Sequence, residues 1–315
     1  MPSTININPV NYIGQASAQY LLRAFAANKT AEAGVRFLDS VKFKINLKKL
    51  DGSNLLVPAT CDYSPNGTVT ASATQYEVKQ VQSEIQICWS DLFQLFGSDQ
   101  LSAGDSNGNV NQITDFTTGL IDVMVGRIGE SVDNMLWNAA VGTGGTLTEE
   151  FDGYLTILSA TGVTGSCVGN NITGTTHTGG TITVSNVISV FGQIYASAPA
   201  AILIKPIEEL VFFCNAKTLA YLRRAYSLFI NISPIYDIGS TFMGIKVVAI
   251  PSIPDNVVVF GQLSNFVIMT DLYSDFNNVA VLDERPKWNY VVFVLRGKLC
   301  AGIGFPCEVT TWGLA

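Results

Sequence analysis

The chain carries a single histidine, His177, and that limits the chemistry open to it. A Ser-His-Asp or Cys-His relay would need this residue as its base. It sits in the run Thr175-Thr176-His177-Thr178-Gly179-Gly180, which reads as a solvated loop. One histidine also rules out a His-rich metal site or a zinc-protease pair. The six cysteines (61, 88, 167, 214, 300 and 307) show no metal-type pairing. Cys300 and Cys307 are spaced too widely for a zinc knuckle, and buried, reduced thiols are the expectation. Gly142-Thr143-Gly144-Gly145 follows a helical pattern rather than joining a strand to a helix, and no Gly-Lys-Ser/Thr is present, so no phosphate cradle is read. Glu149-Glu150 and Glu208-Glu209 are neighbours in sequence, where side chains seldom converge, and read as solvated turns. No enzyme, cofactor or metal is expected. The basic residues with something to contact are Lys42, Lys44, Lys48 and Lys49 on one stretch, and Arg223-Arg224 on another.

Composition narrows the classes further. The 315 residues are 48% hydrophobic but only 14% charged, with a net charge of −7 and a mean hydropathy of +0.30. Soluble proteins usually carry about 25% charge. Disorder needs the opposite balance, and a general nucleic-acid binder needs a basic surface. No run approaches the roughly 18 apolar residues of a membrane span. Met1-Pro2-Ser3-Thr4-Ile5-Asn6 lacks the basic-then-apolar pattern of a secretory signal. The apolar residues lie in short runs such as Val257-Val258-Val259-Phe260 and Val291-Val292-Phe293-Val294-Leu295, and something other than lipid must cover them.

The elements that hold these residues follow from periodicity. Ala16, Tyr20, Leu21, Ala24 and Phe25 recur at helical spacing in an N-terminal arm too small for its own core. Val41, Phe43, Ile45 and Leu47 alternate with Lys42, Lys44, Asn46 and Lys48, which predicts a strand with one wet face. Asp51-Gly52 and Ser64-Pro65-Asn66-Gly67 are tight-turn signals, and 67–74 reads as a mobile polar loop. Alternation resumes on Tyr76 and Val78, then shifts phase to Val81, Ile85 and Ile87, which predicts a β-bulge near Lys79-Gln80. Residues 41–88 thus read as a long hairpin with little core.

Ile113, Phe116, Leu120, Met124, Ile128, Val132, Met135 and Leu136 predict one long helix, with Arg127, Glu130 and Asp133 largely between the apolar positions. About 27 residues would make a rod of roughly 40 Å. Further on, Ser185 is a candidate cap for a helix with Ile188, Phe191, Ile194 and Ala198 on one face, ended by Pro199. A strand at 210–214, a helix at 217–228, and strands at 245–250, 256–260, 265–270, 278–283, 288–296 and 304–310 complete an α+β reading. Hairpins and arms without a core are unstable alone and require neighbours to cover them. That is the signature of an assembly protein.

The order of these elements resembles the tailed-bacteriophage major capsid family, with its Hong Kong 97-like fold. The arm at 1–40 and the hairpin at 41–88 resemble the family's N-terminal arm and extended E-loop. Residues 111–140, with Arg127, Asp133 and Trp137-Asn138, resemble its spine helix, in a peripheral region spanning 89–150. Phe151-Asp152-Gly153-Tyr154-Leu155 is similar to the Phe-Asp-Gly turn that often follows the spine helix. Leu210-Val211-Phe212-Phe213-Cys214, Gly244-Ile245-Lys246-Val247-Val248 and Pro251-Ser252-Ile253-Pro254-Asp255-Asn256 match the pattern of an α/β axial domain at 151–274. Ser264-Asn265, Thr270-Asp271 and Leu282-Asp283 fit later strands, and 275–315 would return to the peripheral domain.

The resemblance implies self-assembly into hexamers and pentamers of an icosahedral head, which encloses double-stranded DNA without sequence-specific binding. It implies assembly in the host cytoplasm, with scaffolding and portal proteins as partners and no membrane. Only about forty residues precede the hairpin, so a separate scaffold or a processed chain is expected. Some relatives crosslink a Lys to an Asn, but no motif here singles out such a pair. Tyr20, Phe25, Lys42, Lys44, Lys48, Lys49, Asp51, Asn66, Arg223 and Arg224 are the candidate inter-subunit contacts. Alternatives are an encapsulin-like shell, a β-rich surface adhesin, suggested by the Thr/Gly/Asn-rich stretches, and a glycosidase-like enzyme using two carboxylates.

Overall fold

The computed structural model describes residues 29–53, 68–88, 127, 129–142, 149–159, 170–172, 180–229, 240–271, 279–283 and 290–314. Tyr20, Phe25, Asn66, His177, the turn at 64–67 and the first half of the expected long helix lie outside them. The chain divides into two compact units. The larger comprises 29–79, 133–271 and 299–315, and the smaller includes 80–132 and 272–298.

In chain order the elements are α1 (Lys29–Glu32), β1 (Arg36–Leu38), β2 (Lys44–Ser53), β3 (Thr68–Glu77), β4 (Lys79–Cys88) and α2 (129–138). Then come α3 (Tyr154–Ser159), β5 (Asn170–Ile172), α4 (Val187–Ala196), α5 (Ala200–Leu203), β6 (Leu210–Cys214) and α6 (Ala216–Phe229). The rest are β7 (Thr241–Phe242), β8 (Ile245–Ala249), β9 (Val258–Gln262), β10 (Phe266–Met269), β11 (Val279–Asp283), β12 (Tyr290–Ile303) and β13 (Thr310–Trp312).

The larger unit is organised by a six-stranded mixed sheet in the order β5-β13-β9-β6-β8-β7. At its centre, β6 runs antiparallel to β9 (Phe212 opposite Phe260) and parallel to β8 (Phe212 opposite Val247). Every residue of Leu210-Val211-Phe212-Phe213-Cys214 is buried, because both faces of the strand are covered. Leu210, Phe212 and Cys214 face α4 and α6, whose Val190, Phe191, Ile194, Leu222 and Ala225 complete that core with Phe260 and Trp312. Phe213 points the other way. Its ring meets those of Trp137 at 5.2 Å and Phe266 at 5.3 Å, both edge to face. Tyr154 closes the cluster, 5.2 Å from Trp137 and 5.5 Å from Phe266. Such edge-to-face pairs add about 0.5–1.5 kcal/mol each beyond their burial.

The turn after α2 is fixed by Gly153. A Cβ there would sit 2.8 Å from the Ala139 amide nitrogen and 2.9 Å from the Met135 carbonyl oxygen, so only glycine fits against the helix end. Its N–H donates to the Ala139 carbonyl at 2.7 Å, while the Asp152 Oδ1 accepts from the Val141 N–H at 2.9 Å. Thr156 Oγ1 also donates to the Ala139 carbonyl (2.6 Å), and the Tyr154 hydroxyl donates to the Val267 carbonyl (3.1 Å).

Asp133 is buried rather than solvated. Its carboxylate accepts from the backbone N–H groups of Lys29 (2.7 Å) and Thr30 (3.2 Å), the first residues of α1. Trp137 Nε1 donates to Thr30 Oγ1 at 2.8 Å. The helix thus anchors a segment more than a hundred residues upstream. The same segment continues into β1, which pairs in parallel with β10 (Phe37 opposite Ile268). On its other side β10 pairs antiparallel with the end of β12, Phe266 opposite Ile303. In the smaller unit, β11 pairs antiparallel with β12 from Val291 to Leu295.

Several expectations are corrected. Asp51-Gly52 is not a turn: the β2–β3 ladder continues through it, with Asp51 opposite Thr70 and Gly52 opposite Val69. Thr68–Glu77 is a strand, not a polar loop, because ladder pairing overrides its small, polar composition. The phase shift near residue 79 marks a change of partner rather than a bulge. β3 stops at Glu77, Val78 is buried between the two strands, and β4 goes on to pair with β12. Asn186, not Ser185, stands at the N-cap of α4, and its Oδ1 accepts from the Thr183 N–H. The expected strand at 304–310 is a turn of 3-10 helix (Pro306–Glu308) followed by β13. Cys88 is exposed, against the expectation of buried thiols.

Candidate functional site

Among the described residues no cluster of His, Cys, Asp and Glu could hold a metal, and no helix is long and apolar enough to cross a membrane. Burial pushes the thiols of Cys214 and Cys300 up to about 12, so neither is a ready nucleophile. The surfaces with unusual chemistry are instead those that offer apolar groups to solvent.

The first is the β2–β3 hairpin. Ten residue pairs, from Lys44 opposite Glu77 to Ser53 opposite Thr68, form a two-stranded sheet with no third strand among the described residues. At about 3.3 Å per residue the ladder is roughly 33 Å long. Ile45 and Leu47 are only half-buried, Phe43 is 61% exposed at one end of the ladder, and Val69 is 63% exposed near the other. Lys42, Lys44 and Lys48 are exposed, and Lys49 and Asp51 lie in β2. Lys44 Nζ also lies 5.2 Å from the centre of the Phe43 ring.

The ladder's base is clamped by charge. Glu77 lies between two lysines, with Lys79 Nζ at 2.7 Å and Lys44 Nζ at 3.2 Å. Hydrogen bonds first from Lys79, then from Lys44, hold the Glu77 carboxyl below the usual range, and Glu77 in turn raises Lys79. The residue before it in β3, Tyr76, is buried, and its hydroxyl donates to the Ile303 carbonyl (2.8 Å) while accepting from the Ile303 N–H (3.2 Å). Its ring lies over Gly302, where a Cβ would come within 3.4 Å of it. Tyr76 thus roots the hairpin and Glu77 braces it.

The second surface is a groove of about 660 Å³ lined by Thr183, Val184, Ser185, Tyr221, Arg224 and Leu228. It lies where the entry to α4 meets α6. Arg223 and Arg224 are both exposed on α6, but only Arg224 lines the groove. Leu228 is 70% exposed. The third surface is a ridge formed by Leu203, Ile204 and Ile207 with Met243, all exposed. The Ile207 Cγ2 would lie 3.9 Å from a Cβ on Gly244, which sets the ridge against the β7–β8 turn.

The described candidates therefore fall on two surfaces, the lysines and Asp51 on the hairpin and the arginines on α6. Sequence reasoning missed Glu77 and Lys79, whose role depends on the strand register opposite Lys44. It also missed the ridge, where Glu208-Glu209 read only as a solvated turn. The one local signal was Leu203-Ile204-Lys205-Pro206-Ile207, an apolar run broken by proline just where a helix should stop.

No protein-family profile and no curated protein sequence matches the chain. Solved structures do. The capsid asymmetric unit of cyanophage A-1(L) matches over 98% of this chain and 97% of its own, at 13% identity and a TM-score of 0.61. The capsid of a native GTA particle matches over 98% and 94%, at 12% identity and a TM-score of 0.60. The virus-like particle from Pyrococcus furiosus matches over 94% and 96%, at 8% identity and a TM-score of 0.52. At such low identity the likeness speaks for the fold, and it runs along nearly the whole of both chains. The chain has the Hong Kong 97-type fold of tailed-phage major capsid proteins.

Proposed function

We propose that this chain is the major capsid subunit of a phage-type head, a structural protein rather than an enzyme. The observation that carries the reading is the β2–β3 hairpin, a ten-pair ladder with no third strand among the described residues and with apolar groups at both ends, on a chain with a capsid fold. An isolated two-stranded ribbon is marginal in water. A neighbouring copy that covers it removes that deficit.

In this reading 41–88 is the E-loop, 1–40 the N-terminal arm and 89–150 the peripheral region with the spine helix. Residues 151–274 form the axial domain, and the segment from 275 returns to the peripheral region before β13 (Thr310–Trp312) rejoins the axial sheet beside β9. Copies associate as hexamers and pentamers, with a scaffold and a portal as partners in the host cytoplasm. Many modest contacts then add up through avidity and total buried area. The net charge of −7 suits a container whose wall faces DNA without gripping it. An encapsulin-like compartment has less support, since the Pyrococcus furiosus particle superposes less well than the phage and GTA capsids.

Electron microscopy of the purified full chain, alone and coexpressed with other virion proteins, tests the proposal. Closed shells are expected. A stable monomer with a protease-resistant 41–88 region would overturn it.

A further inference from the structure

The groove beside α6 and the ridge beside the β7–β8 turn are complementary. Among the described residues the groove offers one cation, Arg224, set among Val184, Tyr221 and Leu228. α6 itself, Ala216–Phe229, contains Lys217, Arg223 and Arg224 and no acidic residue. The ridge offers the reverse: Ile204 at 83% and Ile207 at 55% exposure, followed by the exposed pair Glu208-Glu209. Lys205 also lies on this stretch, and Glu209 is already engaged by the Gln262 side-chain amide, which leaves Glu208 as the carboxylate for a partner.

Backbone conformation marks the same place, for of the described non-glycine residues with positive φ, Ser40, Met243 and Asn256, only Met243 is large and apolar. Met243 and Gly244 form the two-residue β7–β8 turn with φ of 52° and 83°. Turns of this kind favour Asn, Asp or Gly at the first position. A long apolar side chain in the left-handed region is disfavoured, yet here a methionine occupies it and is 67% exposed. Strained residues of this sort cluster at functional sites.

We propose that the ridge of one copy (Ile204, Ile207, Glu208 and Met243) seats in the α4–α6 groove of the next, with Glu208 against Arg224. This rests on the capsid reading above. Ridge and groove share no residue, so the contact is head to tail, the kind that closes rings of identical subunits. Apolar groups meet apolar groups, and the single charge pair sets the register.

The test uses the full chain and particle yield by sedimentation and electron microscopy, with circular dichroism confirming the fold of each variant. R224E and E208R are each expected to lower yield roughly tenfold, and the double variant E208R/R224E to restore it. Met243→Gly supplies a readout that a purely structural role would not give. Relief of the backbone strain raises the melting temperature of the unassembled subunit, while loss of the ridge side chain lowers particle yield. If the native chain assembles and these variants assemble equally well, the contact is wrong and the capsid reading survives. Folded single variants that fail to assemble without rescue in the double variant overturn the pairing. A native chain that never assembles overturns both.

Discussion

Gly153 and Asp133 tie the C-terminal part of α2 to the turn that follows it and to α1. With backbone atoms 2.8–2.9 Å from the position of a Cβ, Gly153→Ala must push the Phe151–Leu155 turn off the helix end. A loss of about 1–3 kcal/mol is expected, read as a lower melting temperature of the unassembled subunit. Asp133→Ala leaves the amides of Lys29 and Thr30 without an acceptor, at a cost of about 2 kcal/mol. Burial is the main cause that raises the Asp133 carboxyl above its usual value of 3.8. A carboxyl raised on folding contributes stability that is complete below the unfolded value and is lost as pH rises through the folded one. The advantage of the native protein over the variant should therefore shrink as melting is followed upward from below pH 3.8, opposite to an ordinary salt-bridged carboxylate. The Phe-Asp-Gly motif was legible because a turn glycine announces itself locally. Asp133 was not, since helical periodicity placed it among polar positions and its partners lie over a hundred residues upstream.

At the scale of elements, what decides the structure is which strand finds which partner. The five buried residues of β6 were readable as a continuous apolar run, and the sheet's two buried faces explain it. Phe213→Ala would open the aromatic cluster against Trp137 and Phe266 and cost about 3–5 kcal/mol, measurable by chemical denaturation. The hairpin was legible as alternation, but one of its two turn signals, Asp51-Gly52, lies within a strand. Asp-Gly is a strong local signal, and ten cross-strand pairs outweighed it. The brace at the hairpin base has its own test. Glu77→Gln removes the anion that holds Lys44 and Lys79, so amide exchange at the Lys44 end of the ladder should quicken while the melting temperature stays close to native. In the native protein the Glu77 carboxyl is lowered on folding. Its contribution is present above the ordinary value of 4.5 and disappears as pH falls through the folded value, so the protection of the same amides, taken relative to the intrinsic exchange rate at each pH, should fall in acid.

At the scale of the molecule, 14% charge beside 48% hydrophobic residues fits a subunit whose surface is finished by its neighbours. The order of elements carried this likeness in the sequence even though the matched capsids share only 8–13% identity. A fold of this kind constrains the pattern of burial and turns more than the side chains themselves, so pattern survives where identity does not. The contacts that build an assembly leave less trace, because an exposed apolar residue on a subunit looks like scattered surface until its neighbours in space are known. Phe43 and Val69 make the difference measurable. Each is more than 60% exposed, and they lie at opposite ends of a ladder roughly 33 Å long, so neither supports the subunit's own core. A Phe43→Asp, Val69→Asp variant should keep the native circular dichroism and melting temperature as a subunit. If the hairpin lies across a neighbour, the same variant must bury two carboxylates at both anchor points, and particle yield should fall by tenfold or more, on the order of a lost hot spot. Unchanged yield would mean that the hairpin finds its cover elsewhere. Loss of the subunit fold would mean that these side chains belong to the core after all.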